Sequence, residues 1–371
     1  MNSVVYHRVE VENSKASYSE FDTLDFYLNA EGRALMKNSV RIEGVLNVTK
    51  DNGAGADVPL VIGDDVNIDN MLGVGAVVDI VTTEFQNAGL VENFNEYQRY
   101  AKMVKVAETS KNDSHSALDF CELVTPSEKV THNLLCGNKP KGADRTADET
   151  LNPSFSFKPR ICLNRMSDNL SFGKSGFIKV SITLSKVGQV LYGKDVNNLN
   201  KYNISNVTLK FKSVPDVNNQ VQMRTTLSLK SSINSQLSNT MAKVPAVCDG
   251  VSCVFIRQDR ENTLKDCNSM IDRLHGIEEL QFLFSDSTSQ YISYVISDRG
   301  EMTDRFIDSL VNTGHNQVNS QDNNMNFGIG LSFPPVDLSN QKFNIQIKSK
   351  FSNLNTSPYI INMFFHSFIS L

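Results

Sequence analysis

Apolar and polar residues alternate along much of the chain. Ile178, Val180, Ile182 and Leu184 are separated by Lys179, Ser181 and Thr183. Val207, Leu209 and Phe211 alternate with Thr208, Lys210 and Lys212, and Phe343, Ile345 and Ile347 with Asn344, Gln346 and Lys348. Successive side chains of a strand point to opposite faces, so each stretch has one apolar and one wet face. Strands of this kind build antiparallel sheets packed face to face on a shared core. Weaker patterns predict further strands over 41–48, 58–62, 76–83, 155–163, 222–229, 251–257, 279–284, 290–296, 327–333 and 359–369. Many short strands with turn signals between them describe an all-β sandwich or barrel.

Two segments break the period of two. Phe94, Tyr97, Ala101 and Val104 recur at helical spacing, with Glu92 in the expected first turn. Met302, Phe306, Ile307 and Leu310 do the same, with Asp298 placed to cap. Each predicted helix packs one apolar stripe on a sandwich. The two halves thus share an order of strands, helix, strands, which is a weak internal repeat. Residues 1–35 precede the first convincing strand and read as an arm, with a short helix around 21–34. The stretch 109–152 is unpatterned, and loops of that length are usually functional excursions. A polar run over 314–326 is rich in Asn and Gln. The best boundary lies at Pro215, where one strand stops and another soon begins.

Length and composition sharpen this picture. A chain of 371 residues suggests two domains, each of roughly 150–200 residues and able to bury about 70% of its unfolded surface. With 40% hydrophobic residues the chain is expected to fold. Its 41 acidic and 36 basic side chains give a net charge of −5, against a protein whose own charge grips nucleic acid or anionic lipid. Lysines such as Lys342, Lys348 and Lys350 are dispersed on wet strand faces. The apolar C-terminus, YIINMFFHSFISL, is too short for a membrane span and reads as a core strand buried on both faces. MNSVVYHRVEVENSK lacks a basic region followed by an apolar core, so no secretory signal is expected. The cysteines (121, 136, 162, 248, 253 and 267) then read as reduced thiols, and the sequons at Asn47 and Asn206 as chance matches.

The candidate chemistry is thin. Phe172-Gly173-Lys174-Ser175 ends like a phosphate loop, but Asp168 stands where the first glycine belongs, and a turn between strands is expected. Asn52-Gly53-Ala54-Gly55-Ala56-Asp57 begins like a dinucleotide fingerprint, but Val58 takes the third glycine position, so a hairpin turn fits better. Asp64, Asp65 and Asp69 could offer oxygens to Ca²⁺, yet the spacing lacks the Gly and Glu of a calcium loop, and a solvated acidic turn is expected. Glu278 and Glu279 are adjacent, so on a strand they face opposite ways. The six histidines (7, 115, 132, 275, 315 and 366) are scattered without ligand spacing. No catalytic, cofactor-binding or metal-binding residues are assigned, and no enzyme is expected.

Several stretches together resemble the double jelly-roll major capsid proteins of polinton-like viruses, virophages and related DNA viruses. In the second half these are KVPAVCDGVSCVFIRQDRENTL, HGIEELQFLFSDSTSQYISYVISDRGEMTDRFIDSL, FGIGLSFPPVDLSNQKFNIQIKS and MFFHSFISL. In the first half they are SVRIEGVLNV, LVENFNEYQRYAKM and GQVLYGKDVNNLNKYNISNVTLKFKSVP. The resemblance implies two consecutive eight-stranded antiparallel jelly-roll sandwiches with a few short helices. The arm would be 1–35, the first roll 36–215 with its long loop 109–152, and the second roll 216–371. It further implies homotrimeric, pseudo-hexagonal capsomers that tile an icosahedral shell, with penton and minor or cement proteins as partners. The chain would reside in the virion, without sequence-specific contact to nucleic acid. Three other readings compete: a carbohydrate-binding or adhesion sandwich, disfavoured by the absence of Trp and of a signal; an enzyme on a β-sandwich, disfavoured by the scattered histidines; and a minor vertex protein with one jelly roll, disfavoured by two sandwich patterns.

Overall fold

The computed structural model describes residues 3–51, 57–60, 64–108, 121–124, 153–193, 200–216, 219–242, 247–261, 263, 277–285, 290–311, 328–337, 344–351 and 358–371. The first half contains β1 (Val5–Glu10), β2 (Ser17–Tyr18), β3 (Thr23–Leu28), β4 (Arg33–Leu35), β5 (Arg41–Asp51), β6 (Asp57–Pro59), β7 (Val78–Phe85), β8 (Gly89–Phe94), helix α1 (Tyr97–Glu108), β9 (Ser154–Phe157), β10 (Leu170–Ser171), the single-turn helices α2 (Phe172–Ser175) and α3 (Val187–Val190), β11 (Ile178–Leu184) and β12 (Lys201–Pro215). The second half contains β13 (Gln222–Ile233), β14 (Leu237–Ala242), β15 (Val247–Arg257), β16 (Ile277–Ser285), β17 (Gln290–Ile296), helix α4 (Arg299–Val311), β18 (Gly328–Asp337), β19 (Asn344–Phe351) and β20 (Tyr359–Ser370).

Pairing sorts these strands into two copies of one topology. In the first lobe β1, β12, β5 and β9 are neighbours in that order, and β3, β11, β7 and β8 form the facing sheet. In the second lobe β13, β20, β15 and β18 are neighbours, and β14, β19, β16 and β17 face them. Lettered B to I along the chain, both lobes read B-I-D-G over C-H-E-F, the order of a jelly roll. The strand letters run β1, β3, β5, β7, β8, β9, β11, β12 in one lobe and β13 to β20 in the other. A helix stands between F and G in each. The remaining short strands, β2, β4, β6 and β10, extend the first B-I-D-G sheet.

The alternation seen in the sequence maps onto burial. Ile178, Val180, Ile182 and Leu184 of β11 are all buried, with half-buried residues between them. In β12 the phase changes: Tyr202 and Ile204 point inward, then Leu209 and Phe211. A bulge between Ser205 and Thr208, with Asn206 at φ 52°, supplies the residue that shifts the pleat. β20 is buried on both faces from Tyr359 to Ser367, because one side meets the second-lobe core and the other is covered from behind.

The N-terminal segment corrects the expectation of an arm. Residues 5–10 and 23–28 are strands B and C of the first roll, so that roll spans 5–215, not 36–215. β1 lies antiparallel on β12 from Val5↔Ser213 to Glu10↔Thr208, and β3 pairs with β11 along its whole length. The expected helix over 21–34 is β3 and β4; Leu24, Phe26 and Leu28 of β3 are buried and alternate with Thr23, Asp25 and Tyr27. Glu92 likewise belongs to β8 and precedes α1 rather than starting it. Of the long stretch 109–152 only 121–124 is described; the rest of it, the polar run 314–326 and the glycine turn 52–56 lie outside the described residues.

One sheet crosses both lobes. β8, the last strand of the first C-H-E-F sheet, bridges in parallel to β13, the first strand of the second B-I-D-G sheet, at Leu227↔Asn93. The resulting eight strands run β18-β15-β20-β13-β8-β7-β11-β3. Val254, Phe306, Leu310 and Phe364 of the second lobe pack into the first-lobe cluster, so the lobes also meet through apolar surface.

Candidate functional site

The chain concentrates buried charge at the junction of the lobes. Glu92 on β8 and Arg165, in the connection between β9 and β10, form an ion pair with side chains 0% and 1% exposed. Arg165 also donates to the Tyr100 hydroxyl of α1 (2.6 Å) and to Thr226 Oγ1 of β13 (2.9 Å). Glu92 accepts a backbone N–H from Cys162 at 2.8 Å. Burial pushes the Glu92 carboxyl above its ordinary range, against the pull of Arg165. Tyr100 completes the joint by tilting against Phe364 of β20, ring centroids 5.3 Å apart. One guanidinium thus holds strand F and the helix of one roll to strand B of the other.

A second ionic cluster lies at the rim of the same junction. Glu96, between β8 and α1, takes Arg99 at 2.7 Å and Lys230 of β13 at 2.9 Å. Glu261 of the second lobe pairs with Lys230 and reaches Arg99 at 3.5 Å. Burial would lower Lys230, but its hydrogen bonds and charge contacts with Glu261 and Glu96 raise it. Asp79 of β7, near this cluster, is raised by burial and then by Glu96.

The residues flagged in the sequence fall into structural roles. Asp69 is buried, caps the backbone N–H of Met71 (2.8 Å) and Leu72 (3.2 Å), and pairs with Lys102 at 2.6 Å. Asp64 pairs with Lys50 at 2.6 Å, and Asp65 accepts from Asn67 at 2.9 Å. These carboxylates are engaged by protein groups, and the turn is not the solvated one expected. Among the described residues no three His, Cys, Asp or Glu side chains are grouped as metal ligands. Phe172 to Ser175 is the short helix α2, capped by Ser171 Oγ accepting from Gly173 N at 3.1 Å, and Lys174 donates to the Asn219 carbonyl at 2.8 Å. Glu278 and Glu279 are both exposed, contrary to strict alternation, because a bulge between Ile277 and Glu279 breaks the pleat. Asp298 does cap α4, accepting from Glu301 N at 3.0 Å.

The cysteines and the histidines in view are packing groups. Cys162, Cys248 and Cys253 are buried free thiols, and Cys121 is exposed. Burial raises all three buried thiols, Cys248 to about 12, so they stay protonated and unreactive. His7 stacks on Phe211 at 4.5 Å and bonds Ser213 at 2.7 Å. His366 Nε2 and Ser309 Oγ each lie 2.7 Å from Ser252 Oγ, all fully buried under α4. That spacing would suit a nucleophile and base, but with 0% exposure no substrate reaches them. The node pins α4 to β15 and β20. The sequence reading missed it, along with the Glu92–Arg165 pair, because partners far apart in sequence leave no local signal.

What faces outward is a set of open strand edges. β1 pairs only with β12, and β17 only with β16, among the described residues. β1 exposes Val5 and Tyr6, the latter 74% exposed with Lys212 Nζ 5.0 Å from its ring centre. β17 exposes Val295 at 56%, and the edge strand β14 exposes Leu237 and Met241. Unpaired edges with apolar side chains are templates for another chain unless they are covered.

No family model and no curated protein matches this sequence. Solved structures do. The Faustovirus major capsid protein superposes with a TM-score of 0.60 at 8% identity, over 100% of this chain and 90% of that one. A chain of the PBCV-1 virus capsid gives 0.58 at 9% identity, over 100% and 94%. A chain of the Sputnik virophage gives 0.54 at 10% identity, over 100% and 86%. The likeness runs through both lobes and establishes the fold, two jelly rolls joined in one chain, which agrees with the topology read strand by strand.

Proposed function

We propose that this chain is the major capsid protein of an icosahedral double-stranded DNA virus or virus-like element. The observation that carries the reading is the repeat: one polypeptide holds two jelly rolls of identical strand order, locked into a single block by a shared sheet and a buried ion pair. Three such blocks about a threefold axis present six similar lobes, a pseudo-hexagonal unit that tiles a flat facet. The whole-chain likeness to the Faustovirus major capsid protein supports it. Penton and minor or cement proteins would complete the shell, and the chain would reside in the virion. The net charge of −5 suits a shell that leaves neutralising the genome to other cations. The role is structural, and the polar groups described above serve to hold the block together.

The test is the mass of the purified chain in solution together with averaged particle images. A trimer with a six-lobed outline supports the reading. A monomer that binds glycans, or that binds DNA with strongly salt-dependent affinity, overturns it.

A further inference from the structure

The repeat lets one lobe serve as the measure of the other. Strand C ends the C-H-E-F sheet in both, as β3 in the first lobe and β14 in the second, and each pairs only with its strand H among the described residues. The outer side of β3 is occupied. Residues 11–22, which connect B to C, return along it: the Glu12 N–H donates to the Asp25 carbonyl at 2.9 Å, and the Asn13 side-chain amide to the Thr23 carbonyl at 3.2 Å. Val11 of the same segment is buried. Carbonyls two residues apart lie on one edge of a strand, so this segment covers the edge as a further strand would. In the second lobe the connection from B to C is residues 234–236 alone. It places the Ser235 hydroxyl on the Leu237 carbonyl. With a reach of about 10 Å it is too short to run back along β14.

The uncovered edge has a pattern of its own. Leu237, Asn239 and Met241 point outward, and Leu237 and Met241 are 72% and 60% exposed. Across the sheet, Leu237 stands opposite Lys350 and Asn239 opposite Lys348 of β19. Lys350 pairs with Glu278 at 3.1 Å, whereas Lys348 makes no ion pair among the described residues. A strand laid on β14 sets three alternate side chains beside Leu237, Asn239 and Met241. Apolar residues at the first and third positions cover the exposed apolar surface. An acid at the second stands about 10 Å from the Lys348 backbone, within the joint reach of the two side chains over the short Asn239.

We propose that β14 accepts, by strand addition, an extended segment of a second polypeptide in which an acidic residue stands between two apolar ones at alternate positions. That segment does for the second lobe, from another chain, what residues 11–13 do for the first from within. It also removes a hazard, because an open edge with apolar side chains is a template for indiscriminate pairing. The proposal rests on the capsid reading for the partner's identity alone, a minor or cement protein of the shell.

The experiment uses the full chain with carbon-13 methyl groups on its methionines. The probe is a capped heptapeptide in which threonines alternate with valine, glutamate and valine in turn. On titration the Met241 methyl resonance should shift and saturate, while those of Met223 and Met363, buried in the two cores, stay in place. Lysine in place of the glutamate should weaken binding about threefold or more. Leu237→Lys, an exposed change, should abolish the shift with an unchanged melting temperature. A Met241 resonance that stays fixed at millimolar peptide, that moves equally with the lysine peptide, or that moves with protein concentration alone because a second copy takes the edge, would overturn the proposal. A six-lobed trimer that ignores the peptide loses this site and keeps the capsid reading. A monomeric chain that binds the peptide keeps the site and loses the capsid reading.

Discussion

Replacing Arg165 with Met should uncouple the lobes. Arg165→Met keeps a long side chain but removes the charge facing Glu92 and the hydrogen bonds to Tyr100 (2.6 Å) and Thr226 (2.9 Å). A buried ion pair broken on one side typically costs about 3–5 kcal/mol, because the other charge is stranded without solvent. For a lobe of this size each kcal/mol is worth about 2–4 °C, so the melting temperature should fall by roughly 6–20 °C. Glu92, already raised by burial, can shed its charge by taking a proton. The deficit should therefore shrink as the buffer is acidified, and the double variant Glu92→Gln with Arg165→Met should recover part of the loss. Calorimetry reads all three effects, and the first-lobe transition should separate from the second as the joint weakens. An Arg165→Met protein within about 0.5 kcal/mol of wild type, or a double variant no better than the single, would refute this account of the joint.

Four further outcomes follow from the same coordinates. Deleting residues 1–35 removes strands B and C of the first roll, so the truncated chain should be insoluble; soluble protein with native circular dichroism would contradict the strand assignment. Leu209→Asp places a charge at a position 0% exposed and should cost more than about 4 kcal/mol, seen as loss of the soluble fraction. Gly330→Ala sets a Cβ 2.2 Å from Ser309 Oγ and 2.9 Å from the Val251 carbonyl, with Ser309 already held by Ser252. Overpacking of that kind costs about 1–3 kcal/mol in a denaturant titration. Glu92 sits above its ordinary 4.5 when folded, so its contribution is full below that value and is lost as the pH rises through the folded one. The stability of wild type relative to Glu92→Gln should accordingly decline from pH 4.5 upward, and a flat difference would argue against a raised carboxyl.

The sequence was legible where one strand face alone meets a core. β11, β12 and β19 were readable from alternation, and α1 and α4 from their apolar stripes with Asp298 as cap. The first strands were not. β1 turns Tyr6 outward and His7 inward, which reverses the usual polarity, and all of its pairing is with β12, where His7 meets Ser213 across 206 residues of chain. β3 does alternate, but exposed Phe21 and Tyr27 blur its apolar face into something that resembles a helical stripe. Glu92 looked like a helix-start acid because nothing local marks Arg165 as its counterion. The repeat was visible as an order of elements; its exactness lay in hydrogen-bonding partners, which composition does not encode.

The pairing of β1 with β12 has a consequence for biosynthesis. His7 and Ser213, which bond to each other, are separated by 206 residues. At ordinary translation speeds of about 5–20 residues per second, the N-terminal strand waits roughly 10–40 s for its partner to leave the ribosome. During that delay the nascent half-barrel shows an uncovered apolar face, and contacts this distant in sequence close slowly. Productive synthesis therefore favours escort by a chaperone, and ribosome-bound chains arrested before Lys201 should be sensitive to protease while those arrested well beyond Pro215 are resistant.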